Sequence, residues 1–413
     1  MRVLAGKAAE KRVRELAARA SRLDAVEPQV RGIVTDVRRN GERALVKYAR
    51  KWDGLQSGQP LRVAPTEIRA AWKAASSDLQ FALEKAAANI RRFCEWQKPT
   101  QWMKKNGGIS LGQLVRPLDS VGCYVPGGRY PLPSTLLMTV IPAQVAGVRE
   151  IRVVSPKPRL ETLAAAAMLG VTEFYRIGGA HAVAALAYGT ESIARVDKIV
   201  GPGNLYVTAA KKMVAFDCSI DFLAGPTEVV IVAERGEAAF IAADLVAQAE
   251  HDPETLAVFI SSSRETAEKV VACARRAAKD NPIAYESLTA RGTALVAASH
   301  AQALEWANGI APEHITVARE DVASVRSAGS VFVGDYSPQA VGDYASGPNH
   351  VLPTAGAARY RGGLSVLDFL KLITVQELSQ SAVRRIGPVV TRLAEAEGLQ
   401  AHAESVRVRC AHA

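Results

Sequence analysis

The sequence predicts an α/β fold of two incomplete doubly wound domains, with helical extensions at both ends. Three observations lead there. From about Ser110 onward, short β-branched runs alternate with Ala-rich stretches of helical length, which implies strand–helix–strand crossovers and a parallel sheet. The rhythm runs twice, on either side of a Gly/Pro-rich break, so it describes two Rossmann-like units. Before and after it, Ala, Leu and Val recur at three- and four-residue intervals between charged positions, the period of an amphipathic helix.

The elements follow in order. Helices are expected over Lys7–Ala20, Val26–Lys51 and Pro65–Gln97, the last two separated by a Gly/Gln/Ser loop at Gly54–Gln59. In the first unit, strand Val121–Val125 leads to helix Ser134–Ala146 and strand Ile151–Val154 to helix Leu160–Leu169. Strand Glu173–Ile177 and helix Ala180–Tyr188 follow. In the second unit the strands are Glu228–Val232, Leu256–Ile260, Thr293–Ala297, Ile315–Val317 and Ser330–Val333. Between them lie helices Ala238–Ala249, Arg264–Ala278 and His300–Ile310. The reading gives an N-terminal helical segment (1–109), a first Rossmann-like domain (110–225) and a second (226–345). A return to the core (346–383) and a helical C-terminal tail (384–413) complete it.

Composition bounds the function. At about 150 residues per domain, 413 residues suit two to three domains with a large core. No apolar run approaches the roughly 18 residues a spanning helix needs, and the first residues lack an apolar signal region. Five scattered cysteines without CxxC spacing fit a reducing compartment, so a cytoplasmic protein is expected. The net charge of +10 is uneven: Met1–Asp119 holds 24 Lys and Arg against 12 Asp and Glu. Those charges fall at helical spacing without aromatic interleaving, so they read as a solvated face and not as a nucleic-acid site.

The chain has no G-x-G-x-x-G fingerprint, phosphate-binding lysine loop or H-E-x-x-H. Instead, glycine-rich loops stand where strands end: Pro126–Ser134, Gly201–Asn204 and Ala224–Thr227. Three such loops favour a ligand crevice at the carboxyl ends of the strands. Gln248 and His251 are three apart at a helix end, where a cation could sit between them or His251 could simply cap the helix. Glu313 and His314, adjacent at a strand mouth, could divide acid–base work. Asp343 and His350 share the dense polar tract Gly342–His350, and His402 follows Glu397 in the tail. His300 and His412 have no polar company in the sequence and read as a helix start and a tail residue.

Seven stretches, VGCYVPGG, GTESIARVDKIVGPGN, AGPTEV, QAEHDP, APEH, VGDYASGPNHVLPT and TVQELS, together resemble the histidinol dehydrogenase family essentially end to end. The resemblance implies that Gln248, His251, Asp343 and His402 bind one Zn²⁺, a chemically sensible donor set. It implies an acid–base pair in Glu313 and His314, and NAD contacts at Tyr124, His181 and Asn204. Substrate contacts would fall to Thr227, Gln248, His251, His314, Asp343, Glu397 and His402. Position 181 is usually Gln in the family and position 227 usually Ser, so His181 and Thr227 are departures.

The implied activity is oxidation of L-histidinol to L-histidine through bound histidinal, with two NAD⁺ consumed and no thioester to a cysteine. The family also implies a homodimer in which the tail completes the neighbour's site. Two other readings stand beside it: a related dehydrogenase acting on a sulfonated diol, and a zinc hydrolase using Glu313 as base.

Overall fold

The structure is a computed structural model that describes residues 1–20, 23–127 and 130–411. Gly128 and Arg129 of the first glycine loop, and His412, lie outside the described residues. The chain is mixed α/β with two parallel sheets, as the sequence predicts.

The N-terminal region departs from the helical expectation at its start. Arg2–Ala5 is a strand (β1), paired in parallel with Thr293–Val296 far along the chain. Helix α1 (Gly6–Ala17) packs on the same domain, so the first residues belong to the second unit. Helix α2 (Glu27–Tyr48) is interrupted at Gly41, whose φ of 50° and ψ of −129° break the helical path. The expected Pro65–Gln97 helix is two, α3 (Pro65–Ala74) and α4 (Ser77–Gln97). The break comes at Ser76, whose side chain caps α4 by accepting from the Leu79 N–H.

An antiparallel hairpin, β2 (Trp102–Asn106) and β3 (Ile109–Pro117), precedes the first domain and was not expected. That domain runs β4 (Ser120–Tyr124), α5 (Pro133–Ala146), β5 (Glu150–Val154), α6 (Leu160–Met168) and β6 (Glu173–Tyr175). It continues through α7 (Gly179–Tyr188), β7 (Lys198–Val200), α8 (Leu205–Val214) and β8 (Ser219–Ile220). Its five parallel strands lie in the order β6-β5-β4-β7-β8, which puts a topological switch point between β4 and β7. Helix α5 is apolar on nearly every side because α4 and α6 cover it.

The second domain comprises β9 (Glu228–Val232), α9 (Ala238–Ala249), β10 (Leu256–Ser261), α10 (Arg264–Ala277) and α11 (Pro282–Ala290). Then come β11 (Thr293–Val296), α12 (His300–Ile310), β12 (His314–Val317), β13 (Ser330–Val333) and the short α13 (Gln339–Tyr344). Its six-stranded sheet, β1-β11-β10-β9-β12-β13, has the same arrangement, with the switch point between β9 and β12. Continuous apolar runs such as Val229–Val232 and Leu256–Ile260 are buried throughout, as a parallel sheet covered on both faces requires.

Residues 346–369 return to the first core through Val351, Leu364, Val366 and Phe369. Strand β14 (Leu370–Leu378) then joins β3 in an antiparallel sheet of three, and the hairpin α14 (Gln380–Ala396) and α15 (Gln400–Ala411) closes the chain. Among the described residues, no helix is long and apolar enough to cross a membrane.

Candidate active site

The strand ends bring two groups of polar residues together, one in each domain. In the second domain the group sits at the amino ends of β9 and β12. Both strands open on a charged or titratable residue before an apolar run, so the backbone that buries the sheet also fixes these side chains. Glu313 and His314 are 7% and 3% exposed. The Glu313 carboxylate accepts from the Thr227 hydroxyl at 2.5 Å and from the Glu228 N–H at 2.8 Å, both at Oε2. The Thr227 hydroxyl also lies 3.2 Å from Gln248 Oε1, and Gln248 Nε2 donates to Asp343 Oδ2 at 3.2 Å.

In its neutral form His314 has a defined tautomer. Its Nδ1 is 3.2 Å from the Glu228 carbonyl, which only accepts, so Nδ1 carries the hydrogen. That leaves Nε2 as the working nitrogen. It is buried without a hydrogen-bond partner, 3.4 Å from Asp343 Oδ1 but outside hydrogen-bonding geometry.

Burial pushes the Glu313 carboxyl up to about 7, although His314, the Thr227 hydroxyl and the Glu228 amide pull it down. Burial alone would lower His314, but the Glu313 and Asp343 carboxylates outweigh it and lift it to about 9. Asp343 is also raised by burial, yet His314 and its neighbours hold it below the usual carboxylate range. Glu313 is therefore poised to exchange a proton near neutral pH, while the neighbouring carboxylates favour the imidazolium of His314, which acts as a base once that proton has left.

One residue organises this group and was missed in the sequence. The backbone of Glu228 binds Glu313 through its N–H and His314 through its C=O. Its own side chain is buried against the Arg19 guanidinium. Arg19 Nε donates to Glu228 Oε1 at 2.6 Å, and the Ala355 N–H donates to the same oxygen at 3.0 Å. A second missed contact orients Asp343, whose carbonyl accepts from His350 Nδ1 at 2.6 Å. A charged residue opening an apolar strand was visible in Glu228; nothing local announced Arg19.

His251 lies one turn past Gln248, beyond the end of α9, close enough for its charge to act on Asp343 and His350. Glu397 and His402 do not join the cluster. Glu397 caps α14, Gly398 turns the chain at a φ of 77°, and His402 is exposed on α15, which packs on α14. The hairpin is tied to the rest of the molecule at the β2–β3 turn, where Arg385 donates to the Gly107 carbonyl and Ser379 N–H to that of Gly108. Among the described residues of one chain, no three His, Cys, Asp or Glu side chains converge as metal ligands.

In the first domain, Tyr124 at the end of β4 and Asn204 after β7 flank the switch point. With His181 they line one cavity of about 360 Å³. The Tyr124 hydroxyl accepts from the Gly179 N–H at 2.9 Å, and the Asn204 side chain caps α8. His181 is buried beneath the cavity, with Nε2 2.7 Å from Asp53 Oδ2 and Trp52 and Tyr48 against its ring. Asp53 also accepts from the Gly178 N–H at 3.1 Å, so the pair braces the turn into α7. Asp53 was not foreseen.

One other expectation changes. His300 is not without polar company: Nδ1 lies 3.1 Å from Glu234 Oε1 and Nε2 2.8 Å from Asp321 Oδ1, because the fold closes two acidic loops around the start of α12. Cys123, the thiol nearest the cofactor loop, is fully buried under α5, and burial pushes it up to about 12. It cannot be a thiolate nucleophile at neutral pH.

The sequence pattern of histidinol dehydrogenases matches residues 16–410. The chain belongs to the histidinol dehydrogenase family. It is 46% identical to a histidinol dehydrogenase of Methanothermobacter thermautotrophicus over 97% of each chain. It is 44% identical to one of Gluconobacter oxydans over 95% of each. The crystal structure of histidinol dehydrogenase from Elizabethkingia anophelis superposes with a TM-score of 0.93 at 34% identity, covering 99% of this chain and 98% of that one. Membership makes the protein an oxidoreductase of histidine biosynthesis acting on a small molecule.

Proposed function

We propose that this chain oxidises L-histidinol to L-histidine with two equivalents of NAD⁺ at a zinc-dependent site shared across a homodimer. The observation that carries the reading is the buried Glu313–His314 pair, with one free imidazole nitrogen facing Asp343 and Gln248. The donor chemistry fits zinc: an amide oxygen and a carboxylate lie side by side, with the His251 imidazole nearby. Among the described residues His402 stands apart from these groups, exposed on α15, which suits its arriving from a second copy. Apolar surface supports such pairing, since Trp102, Met103, Leu372 and Ile373 on the three-stranded sheet are exposed, as are Val389 and Leu393 on α14.

Removing four electrons from an alcohol requires two hydride transfers with a hydration between them. Gln248, His251, Asp343 and His402 would hold the metal, which supplies an anchor for the amine and imidazole of the substrate. Tyr124, Asn204 and the His181–Asp53 pair would hold the dinucleotide, the hydride acceptor. His314 Nε2 accepts the hydroxyl proton as the first hydride leaves. Glu313 then takes a proton from water as its oxygen attacks the aldehyde carbon, giving the hydrate. Both of its hydrogen bonds fall on Oε2, so Oε1 is available to that water. Once it has released the first proton to solvent, His314 accepts the second hydroxyl proton when the hydrate loses its hydride. Burial keeps the aldehyde from exchanging with solvent, which favours one site for both oxidations.

The test is stoichiometric. Purified enzyme given limiting histidinol and excess NAD⁺ should form two NADH per histidinol, and a chelator should stop turnover. A single NADH, or full activity in chelator, would refute the reading.

A further inference from the structure

Strand order gives a dinucleotide in the first domain a direction. The residues around the acid–base pair touch that domain at two points. His350 Nε2 lies 3.3 Å from Thr135 Oγ1, and the Gly225 N–H donates to Thr354 Oγ1 at 2.5 Å. Thr135 is in the first turn of α5, after β4, and Gly225 follows β8. Lys157 and His181 follow β5 and β6, on the opposite flank of the order β6-β5-β4-β7-β8. A dinucleotide in the cavity of about 360 Å³ must send its nicotinamide toward the acid–base pair, so its adenosine end lies by Lys157. Trp52 lines the same cavity, stacked on Tyr48 with ring centroids 5.0 Å apart, and offers an adenine an aromatic wall.

In such units the residue after the second strand selects the ribose. A carboxylate there accepts from the 2′-hydroxyl and repels a 2′-phosphate, whereas a cation accommodates the phosphate. Here β5 is followed by Ser155-Pro156-Lys157-Pro158-Arg159, with two cations and no acid. Among the described residues lining the cavity, Asp53 is the one carboxylate. It is 8% exposed and already accepts from the His181 ring and the Gly178 N–H.

Lys157 is held where a phosphate would need it. Its φ of 48° lies in the left-handed region, which side-chain-bearing residues rarely adopt. The turn is fixed by Pro156, against which Gly127 and Gly178 pack too closely to carry a Cβ. The lysine stem crosses Gly54, where an added Cβ would come 3.1 Å from Lys157 Cε. The residue lines the cavity yet is exposed, and among the described residues its ammonium is in no ion pair: Asp53 and Glu67 are held by His181 and Arg176. A free ammonium at this wall is a ready partner for a phosphate.

We propose that this site also accepts NADP⁺, with the Lys157 ammonium holding the 2′-phosphate, an inference that rests on the dinucleotide site proposed above. Hydride transfer is unchanged, NADP⁺ becoming NADPH, because the 2′-phosphate lies at the end remote from the nicotinamide.

Calorimetric titration of the full-length protein with adenosine 2′,5′-bisphosphate and with 5′-AMP reads the 2′ position without turnover. The bisphosphate should bind at least as tightly as AMP and lose more affinity on addition of salt. Lys157→Gln should weaken the bisphosphate about tenfold or more and AMP less than about threefold, and Lys157→Glu should weaken the bisphosphate further. With histidinol, kcat/KM for NADP⁺ should lie within about tenfold of that for NAD⁺. AMP binding more than about tenfold tighter than the bisphosphate would overturn the proposal and make Asp53 the reader of a 2′-hydroxyl. Equal losses of both ligands in Lys157→Gln would overturn it too, and either result leaves the NAD⁺ reading standing. If neither nucleotide binds, the proposal fails, and NADH formation from NAD⁺ and histidinol then decides whether the dinucleotide site fails with it.

Discussion

Arg19 should matter more than its place before an N-terminal loop suggests. Its guanidinium is buried against the Glu228 carboxylate, the two side chains being 16% and 5% exposed. It also donates to the Leu16 and Ile310 carbonyls at 2.7 and 2.6 Å, tying α1 to the end of α12. Replacing it with Met keeps much of the aliphatic length and removes the charge. Among the described residues Glu228 is then left buried with only the Ala355 N–H as partner. Breaking a buried pair from one side costs about 3–5 kcal/mol. Two carbonyls also lose their donor, each bond worth about 1 kcal/mol.

The loss should be local, so hydrogen exchange is the suitable assay. Every 1.4 kcal/mol is a tenfold change in opening equilibrium, so exchange in β9 and β12 should quicken by about 10²-fold or more. The β4 and β5 amides, in the other domain, should be unaffected. Arg19→Met combined with Glu228→Gln should recover part of the loss, because no unpaired charge is left. Exchange within threefold of wild type, or a double variant worse than the sum of the singles, would refute the buried-charge argument.

Glu313→Gln retains an oxygen for the Thr227 hydroxyl and the Glu228 amide but removes the base. It should slow aldehyde oxidation about 10²–10⁴-fold while alcohol oxidation falls much less, and equal losses in the two half-reactions would make Glu313 structural. Cys123→Ala should keep aldehyde oxidation, and the native Cys123 thiol, pushed up to about 12, should resist alkylation at pH 8 until the protein unfolds. His402→Ala and His251→Ala chains, each inactive alone, should regain roughly a quarter of wild-type activity when refolded together, since half the dimers are mixed and each carries one intact site. A dead mixture with proven chain exchange would place the whole site in one chain. The Asp321 hydrogen bond raises His300 above its ordinary 6.5, opposed by burial and helped by Glu234. A raised folded value means the stabilisation is complete below about 6.5 and is lost as pH rises through the folded value. His300→Ala should therefore cost up to about 1 kcal/mol in thermal unfolding at pH 5.5 and little at pH 9, the pair being screened by solvent.

What the sequence revealed depends on how far apart the interacting residues lie in the chain. The inner strands were legible because burial on both faces demands runs such as Val229–Val232, which need no partner to be recognised. Adjacent Glu313 and His314 could be read as a unit for the same reason. β1 could not, because its four residues are a strand only by pairing with β11, whose residues come 291 positions later in the chain. The three-stranded sheet was concealed differently. Asn106-Gly107 is a strong hairpin signal, and Gly107 and Gly108 do take φ of 53° and 81°, but the flanking strands are largely exposed and lack clean alternation. The same distinction separates the parts of the candidate site. Residue types suitable for metal and acid–base work stand out within short motifs, whereas Arg19 and Asp53 are ordinary surface-type residues until the fold buries them. Each then meets one partner, Glu228 or His181, that would otherwise be a lone buried ionisable group. Their role is to hold a functional group in place through a second residue, and such a role depends on tertiary proximity. The residues hidden from the sequence are therefore the ones whose replacement should disturb the site without touching substrate.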